Sequence, residues 1–123
     1  MTFVLKNPDT PRHVTGWPVV VQTAADGGKV RKDEITVDYE VISQDAVDAI
    51  VAEAQGGQVR ANADSALLER VVKNVGGLVD ESGQPVVFGD GVLAQLLAQT
   101  NVRAAMVAAF FDVASGRRAA RKN

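Results

Sequence analysis

The chain of 123 residues has no cysteine, one histidine and few aromatic residues. Without cysteine it cannot form a disulfide, a thiolate zinc site or a cysteine nucleophile. Because His13 is the single imidazole, a histidine-rich metal site is excluded and a Ser-His-Asp triad would depend on this one residue. Aromatic residues make up 5% of the chain, so valine, alanine, leucine and isoleucine must supply the core.

The sequence also lacks a long apolar run and a strong net charge. No segment approaches the roughly 20 apolar residues that span a bilayer, and the first residues have no signal-peptide pattern, which predicts a cytoplasmic protein without a membrane partner. The net charge of -2 argues against nonspecific nucleic-acid binding as the main activity. The length and a hydrophobic fraction of 46% predict one folded domain.

Positive charge is concentrated at the end of the chain. Residues 117–123 hold no acid and four cations, Arg117, Arg118, Arg121 and Lys122. Since the whole chain has 13 basic and 15 acidic residues, the remainder has nine cations against 15 acids and a charge of -6. This basic tail is either a contact for nucleic acid or an acidic partner, or a solvated end that aids solubility.

Two strands are predicted in the first third of the chain. Residues 1–16 show no regular period and are expected to form a flexible arm. A short alternating strand begins at Trp17, and the glycines of residues 26–28 predict a hairpin turn. Residues 35–41 alternate apolar and polar side chains, which predicts a second, half-buried strand.

Four helices are predicted after the hairpin. They comprise residues 44–55 after the N-cap Ser43, a helix from Asn62 or Asp64 to Val75, a short helix capped by Asp90, and a last helix capped by Asn101 and ended by Gly116. Residues 78–88 are expected to form a small hairpin or an extended loop. The predicted fold class is α+β, an N-terminal two-stranded β-hairpin followed by about four helices, with residues 17–116 as the single domain.

The acidic residues and glycine pairs do not form a recognisable catalytic or cation site. Asp38 and Glu40 alternate with apolar residues on the second strand, which predicts a solvated polar face. Residues 80–83 lack the ligand spacing of a calcium loop and predict a plain turn. None of the glycine pairs has the spacing of a phosphate loop. We therefore expect no metal, no cofactor, no small-molecule substrate and no enzymatic activity.

Two features remain as candidates for binding another macromolecule. One is the basic tail, and the other is Trp17 together with Phe110 and Phe111. Phe110 fits the buried face of the last helix and Phe111 lies about 100° around that helix, so one of the two is expected at the surface. The candidate partner-binding residues are Trp17, Val102, Met106, Phe110, Phe111, Arg117 and Arg118.

Several sequence features follow one another in a particular order over most of the chain. They are the Thr2–Lys6 opening (TFVLK), the Trp17–Val21 strand (WPVVV), a charged strand that leads into a helix at Ser43, the Asp80–Phe88 turn (DESGQPVVF), an alanine-rich helix ending at Gly116, and a basic Lys122-Asn123 terminus. In this order they resemble the small tail assembly chaperones of long-tailed, noncontractile phages and prophages.

The resemblance implies a non-enzymatic protein that binds the tape measure protein, a long and largely helical chain with exposed apolar stripes. Such a protein keeps its client soluble while tail tube protein polymerises around it, which makes the major tail tube protein a further expected partner. It also implies a location in the host bacterial cytoplasm and absence from the mature virion. An apolar groove with the helix of residues 102–114 as one wall is expected to hold the client.

Two other interpretations remain open from the residues. One is a structural phage tail or head–tail connector subunit, in which the β-ribbon would extend a neighbour's sheet. The other is a nucleic-acid-binding regulator that uses the basic tail, which requires strong salt-dependent binding to DNA. Self-association is compatible with each of these roles.

Overall fold

The computed structural model describes residues 2–56 and 62–119 of the chain. In these residues the helices and strands, in chain order, are β1 (Arg12–Ala24), β2 (Val30–Val41), α1 (Gln44–Gly56), α2 (Ala63–Val71), β3 (Val72–Gly76), α3 (Asp90–Leu97) and α4 (Thr100–Ala114). A single 3₁₀ turn, Asp26–Gly28, joins β1 to β2. The predicted α+β class is confirmed.

The three strands form one antiparallel sheet in the order β1-β2-β3. β1 and β2 pair along most of their length, from Arg12 opposite Val41 to Ala24 opposite Val30. β3 pairs with the other side of β2, where Val75 lies opposite Val37. β2 is therefore the central strand, and β1 and β3 are the edges of the described sheet.

The third strand corrects two predictions, the two-stranded hairpin and a second helix that continues to Val75. α2 ends at Val71, and Val72 already has extended backbone angles. The valines at 71, 72 and 75 fit a helical spacing, but their β-branched side chains also favour a strand. Residues 72–76 pair with the second side of β2, and this pairing gives hydrogen-bond partners to the backbone groups there. If residues 72–76 were helical, those backbone groups of β2 would have no partner strand.

β1 begins at Arg12, five residues before the predicted start at Trp17. Val14 pairs with Tyr39 and Trp17 with Val37, so Thr15 and Gly16 form a β-bulge opposite a single residue of β2. The bulge interrupts the alternation of side chains, which is why the sequence pattern did not reveal the first part of the strand. Residues 12–16 of the predicted arm thus belong to β1, whereas residues 2–11 are exposed and lie in no helix or strand.

The predicted cap of the first helix is confirmed, and of the two candidate caps of the second helix, Asn62 and Asp64, the structure selects Asn62. Ser43 Oγ accepts a hydrogen bond from the Ala46 N–H at 3.2 Å, and Asn62 Oδ1 accepts one from the Ser65 N–H at 3.1 Å. The predicted end of the first helix at Gly56-Gly57 is only partly visible, since α1 includes Gly56 and residues 57–61 lie outside the described residues.

The predicted caps of the last two helices are wrong. Gly89 and Gln99 are the N-cap residues of α3 and α4, and neither helix has a side-chain cap. Asp90 lies inside the first turn of α3. The helix dipole favours a carboxylate there, just as it would at the N-cap position. At the other end of α4 the prediction is confirmed, because Gly116 has a left-handed φ of 71° and ends the helix.

The core lies between one face of the sheet and the helices α2 and α4. Its buried side chains are mainly aliphatic and include Val19, Ile35, Val37, Val72 and Val75 from the sheet, and Leu67, Leu68, Val71, Val102 and Met106 from the helices. Tyr39 and Phe110 are its aromatic members, with ring centroids 5.8 Å apart. The core is therefore built from the residue types that the composition predicts.

A small hairpin connects β3 to α3. Val79 and Pro85 form an isolated antiparallel bridge, and the Val86 N–H donates to the Leu78 carbonyl at 3.0 Å. Gly83 supplies the left-handed φ of 82° that the turn requires. The prediction of a small hairpin within residues 78–88 is confirmed. None of the described helices combines the length and the apolar character needed to cross a membrane.

Candidate protein-binding surface

α4 is held against the sheet by polar contacts at two points. In its first turn, Asn101 Nδ2 donates to the Gln22 carbonyl oxygen at 2.9 Å and lies 3.3 Å from Thr23 Oγ1, near the end of β1. In its middle, the Met106 carbonyl accepts a hydrogen bond from Tyr39 on β2. These contacts fix α4 alongside β1, and the two elements together form a surface.

Two shallow depressions lie along this junction. The first, of about 130 Å³, is lined by Trp17, Pro18, Val19 and Val20 of β1 and by Ala105, Ala108, Ala109 and Asp112 of α4. The second, of about 540 Å³, is lined by Thr15, Gly16, Trp17, Pro18, Arg118 and Ala119. Trp17 and Pro18 line both. We call the two depressions, together with Phe111 three residues after Ala108 on α4, the β1–α4 surface.

The bulge in β1 determines where Trp17 lies. The Gly16 N–H donates to Asp38 Oδ1 at 2.7 Å, and Gly16 adopts a left-handed φ of 66° that a residue with a side chain rarely adopts. Past the bulge Trp17 pairs with Val37, half-buried between the core and the surface. The Asp38 carboxylate therefore has a structural partner, which corrects the prediction that it is only solvated.

The predicted partner-binding residues fall into two groups. Val102, Met106 and Phe110 are buried in the core, so their side chains do not form an accessible surface in this fold. Trp17 and Arg118 line the same depression, and Phe111 is 41% exposed on the outer side of α4. The prediction that one of the two phenylalanines reaches the surface is confirmed, and their rings pack edge to face at 5.4 Å.

Both arginines at the end of α4 are exposed. Arg117 Nη1 lies 3.9 Å from Asp112 Oδ1, a loose contact with the one carboxylate that lines the depressions. Within residues 2–56 and 62–119, no carboxylate forms an ion pair with Arg118. The remaining predicted cations of the tail, Arg121 and Lys122, lie outside the described residues.

Glu40 forms an ion-pair cluster that sequence reasoning missed. Its Oε2 accepts from Arg70 Nη1 at 2.6 Å and lies 3.0 Å from Lys73 Nζ, and the residue is buried. The hydrogen bond from Arg70 and then that from Lys73 lower the pKa of the Glu40 carboxyl, against the opposing effect of burial. Arg70 and Lys73 come from the end of α2 and from β3, so the alternation of β2 alone could not reveal them.

The cluster joins β2, α2 and β3, and none of its three residues lines either depression of the β1–α4 surface. Elsewhere, Asp80 Oδ1 accepts from the main-chain N–H groups of Ser82 and Gln84 and so orders a turn. The described residues contain no group of three or more histidine or acidic side chains placed to hold a metal ion. The β1–α4 surface thus stands out because it combines a half-buried tryptophan, an exposed phenylalanine, small side chains and arginine.

Comparison of the chain with protein-family models, with curated proteins and with solved structures found no match. The proposed function therefore depends on the β1–α4 surface and on the order of sequence features described above.

Proposed function

We propose that this protein is a tail assembly chaperone of a long-tailed, noncontractile phage or prophage, which binds the tape measure protein and keeps it soluble during tail tube assembly. The observation that carries the proposal is the β1–α4 surface, where Trp17 and the alanines of α4 line one depression and Phe111 is exposed on the same helix. The order of sequence features that resembles this group of chaperones supports it. The protein acts by binding, without catalysis, in the host cytoplasm.

The chemistry of the surface suits a helical client. Ala105 and Ala108 have small side chains, so a second helix can approach the backbone of α4 closely. Trp17 in the depression and Phe111 on the exposed part of α4 offer apolar area, and aromatic anchors of this kind contribute most to interface energies. A client helix that is apolar along one stripe can bury that stripe here instead of aggregating.

A structural tail or head–tail connector subunit is the second candidate, and the edge position of β1 favours it. β1 is 13 residues long, and its outer side has no strand partner among the described residues. An edge of this kind can add to the sheet of a neighbouring subunit. Pro18, which has no N–H, and Asn101, which occupies the Gln22 carbonyl, both reduce the hydrogen bonds that this edge offers. The chaperone role is therefore the better supported of the two.

The experiment is co-expression with a helical fragment of the tape measure protein from the same phage genome. With the wild-type protein we expect most of the fragment in the soluble fraction. Ala108→Glu places a charge in the first depression and should return the fragment to the pellet. Ala52→Glu, the same substitution on the exposed side of α1, is the matched control and should leave the fragment soluble.

Two results would decide against the proposal. If the fragment is equally insoluble with and without the wild-type protein, the chaperone role is wrong. If mass spectrometry finds the protein in stoichiometric amounts in purified phage particles, the structural role replaces it. A circular dichroism spectrum of Ala108→Glu that matches the wild type shows that the variant has folded.

A further inference from the structure

The charge on the β1–α4 surface is unevenly balanced. Arg118 lines the larger depression together with Trp17, and it has no ion-pair partner among the described residues. Asp112 is the single carboxylate that lines either depression, and Arg117 already lies near it at 3.9 Å. Within the part of the chain that the structure describes, Arg118 is therefore the one charged side chain that lines the larger depression, and the nearby Asp38 carboxylate already accepts a hydrogen bond from the Gly16 N–H.

An arginine beside a half-buried indole recognises a particular kind of group. The guanidinium is planar and can bind a carboxylate through two parallel N–H donors, which a lysine cannot do. Tryptophan and arginine are also enriched among the few residues that contribute most of the binding energy of protein interfaces. A carboxylate of a partner that lies next to an apolar contact would satisfy both side chains at once.

The apolar part of the surface sets the shape of that partner. Ala108 and Phe111 lie three residues apart on α4 and so share one side of the helix, while Trp17 lies across the first depression. Arg118 comes four residues after the end of α4 and lines the larger depression together with Trp17. Since Trp17 lines both depressions, a partner helix that contacts the alanines and Trp17 would bring one border of its apolar stripe to Arg118.

We infer that the β1–α4 surface binds an amphipathic helix whose apolar stripe is bordered by aspartate or glutamate, with Arg118 pairing with a carboxylate on that border. The inference deepens the proposed function and rests on it, since it names the chemistry of the segment of the client that this surface selects. A nucleic acid fits the surface less well, because phosphate binding uses several cations and little apolar area.

The test uses Trp17, the one tryptophan of the chain, as a fluorescent reporter. Two synthetic peptides of about 18 residues, long enough to form a helix, carry the same leucine and alanine stripe and no tryptophan. One peptide has glutamate along the border of the stripe and the other has lysine. We expect the glutamate peptide to bind about three- to tenfold more tightly at about 50 mM salt, and the difference to shrink as salt is added.

Charge-reversal variants of the protein assign this preference to Arg118. Arg118→Glu should abolish or reverse the preference between the two peptides. Lys29→Glu, which reverses an exposed cation beside the turn between β1 and β2, is the matched control and should keep it. The inference is overturned if the two peptides bind equally to the wild type, or if Arg118→Glu leaves their ratio unchanged.

A DNA oligonucleotide is the third ligand. If it changes Trp17 fluorescence at lower concentration than the glutamate peptide does at about 150 mM salt, the surface binds nucleic acid and the inference is wrong. Failure of the proposed function is distinguishable, because the peptides contain no phage sequence. If the tape measure fragment stays insoluble while the protein still prefers the glutamate peptide, the proposed phage function is wrong. The inference that the β1–α4 surface binds an acid-bordered helix would still hold.

Discussion

The hydroxyl of Tyr39 donates a hydrogen bond to the main-chain carbonyl oxygen of Met106 at 2.8 Å, and this bond connects the central strand to the middle of α4. Both residues are fully or almost fully buried, and burial raises the pKa of the Tyr39 hydroxyl, so it remains a neutral donor at physiological pH. The position of α4, and with it the β1–α4 surface, thus depends on a polar contact inside an otherwise aliphatic core.

Tyr39→Phe should lower the free energy of unfolding by about 1 kcal/mol, because it removes the hydroxyl but keeps the packed ring. Urea denaturation at pH 7 measures this loss. The pKa of the Tyr39 hydroxyl is higher in the folded protein than in the unfolded chain, where it is about 10. The contribution of the neutral hydroxyl to the free energy of unfolding is therefore complete below about pH 10 and is lost as the pH rises above that value. The wild type should therefore lose more stability than Tyr39→Phe between about pH 9 and pH 11, and parallel curves would contradict the assignment.

Glu40→Gln should destabilise the protein by about 1 to 2 kcal/mol at pH 7, since two charge-assisted hydrogen bonds weaken while both cations remain half-exposed to water. The folded pKa of Glu40 is lowered, so its stabilisation is present above the unfolded pKa of about 4.3 and is lost as the pH falls through the folded pKa. Unfolding curves should show a smaller loss of stability below about pH 5 for Glu40→Gln than for the wild type. Glu81→Gln, at an exposed position, is the control and should follow the wild type.

Asp38→Ala should loosen the bulge beside Trp17, because the Gly16 N–H loses its acceptor at 2.7 Å. We expect a loss of about 1 kcal/mol and a change in the emission maximum of Trp17. Asp38→Asn keeps an acceptor oxygen at this position and should restore most of the wild-type emission. An emission spectrum that is the same for all three proteins would mean that Asp38 does not position Trp17.

Asn101→Asp tests a conflict between a local rule and a tertiary contact. A carboxylate in the first turn of α4 is favoured by the helix dipole, so helix rules alone predict a gain in stability of a few tenths of a kcal/mol. Asn101 Nδ2, however, donates to the Gln22 carbonyl, and an aspartate would place a negative oxygen against that acceptor. We expect Asn101→Asp to be less stable than Asn101→Ala in thermal denaturation. The reverse order would show that the contact with β1 is unimportant.

Several elements were predictable because their signal is local. The alternation of Ile35, Val37 and Tyr39 places three side chains on one face of any extended chain, so residues 35–41 of β2 follow from the period alone. The strand itself begins at Val30, five residues before the predicted start. Ser43 and Asn62 act within a single turn of the helices that they cap. Trp17 and Phe111 could be chosen as surface candidates because aromatic residues are few and one of two adjacent helical phenylalanines must turn outward.

Other features depend on contacts between distant parts of the chain. Asn101 looked like a helix cap, but its side chain reaches Gln22 and Thr23, 79 and 78 residues earlier. The sequence pattern predicted Glu40 as a solvated residue on the polar face of a two-stranded hairpin. In the structure, β3 and the end of α2 lie beside Glu40 and supply its ion-pair partners. Val102, Met106 and Phe110 were grouped with the surface residues because helical spacing gives one apolar face and does not say what covers it.

The amino-acid sequence alone determined the features that depend on short-range patterns. They are the class of the fold, residues 35–41 of the central strand, three of the four helices nearly to their ends, and the turn at Gly83. What only the tertiary structure decided is the fate of residues 72–76, the bulge before Trp17 and the pairing of Glu40. The physical reason is that valines at 71, 72 and 75 satisfy a helical and an extended pattern equally well. The open side of β2 selects the strand, since backbone groups there gain partners that no local pattern can supply.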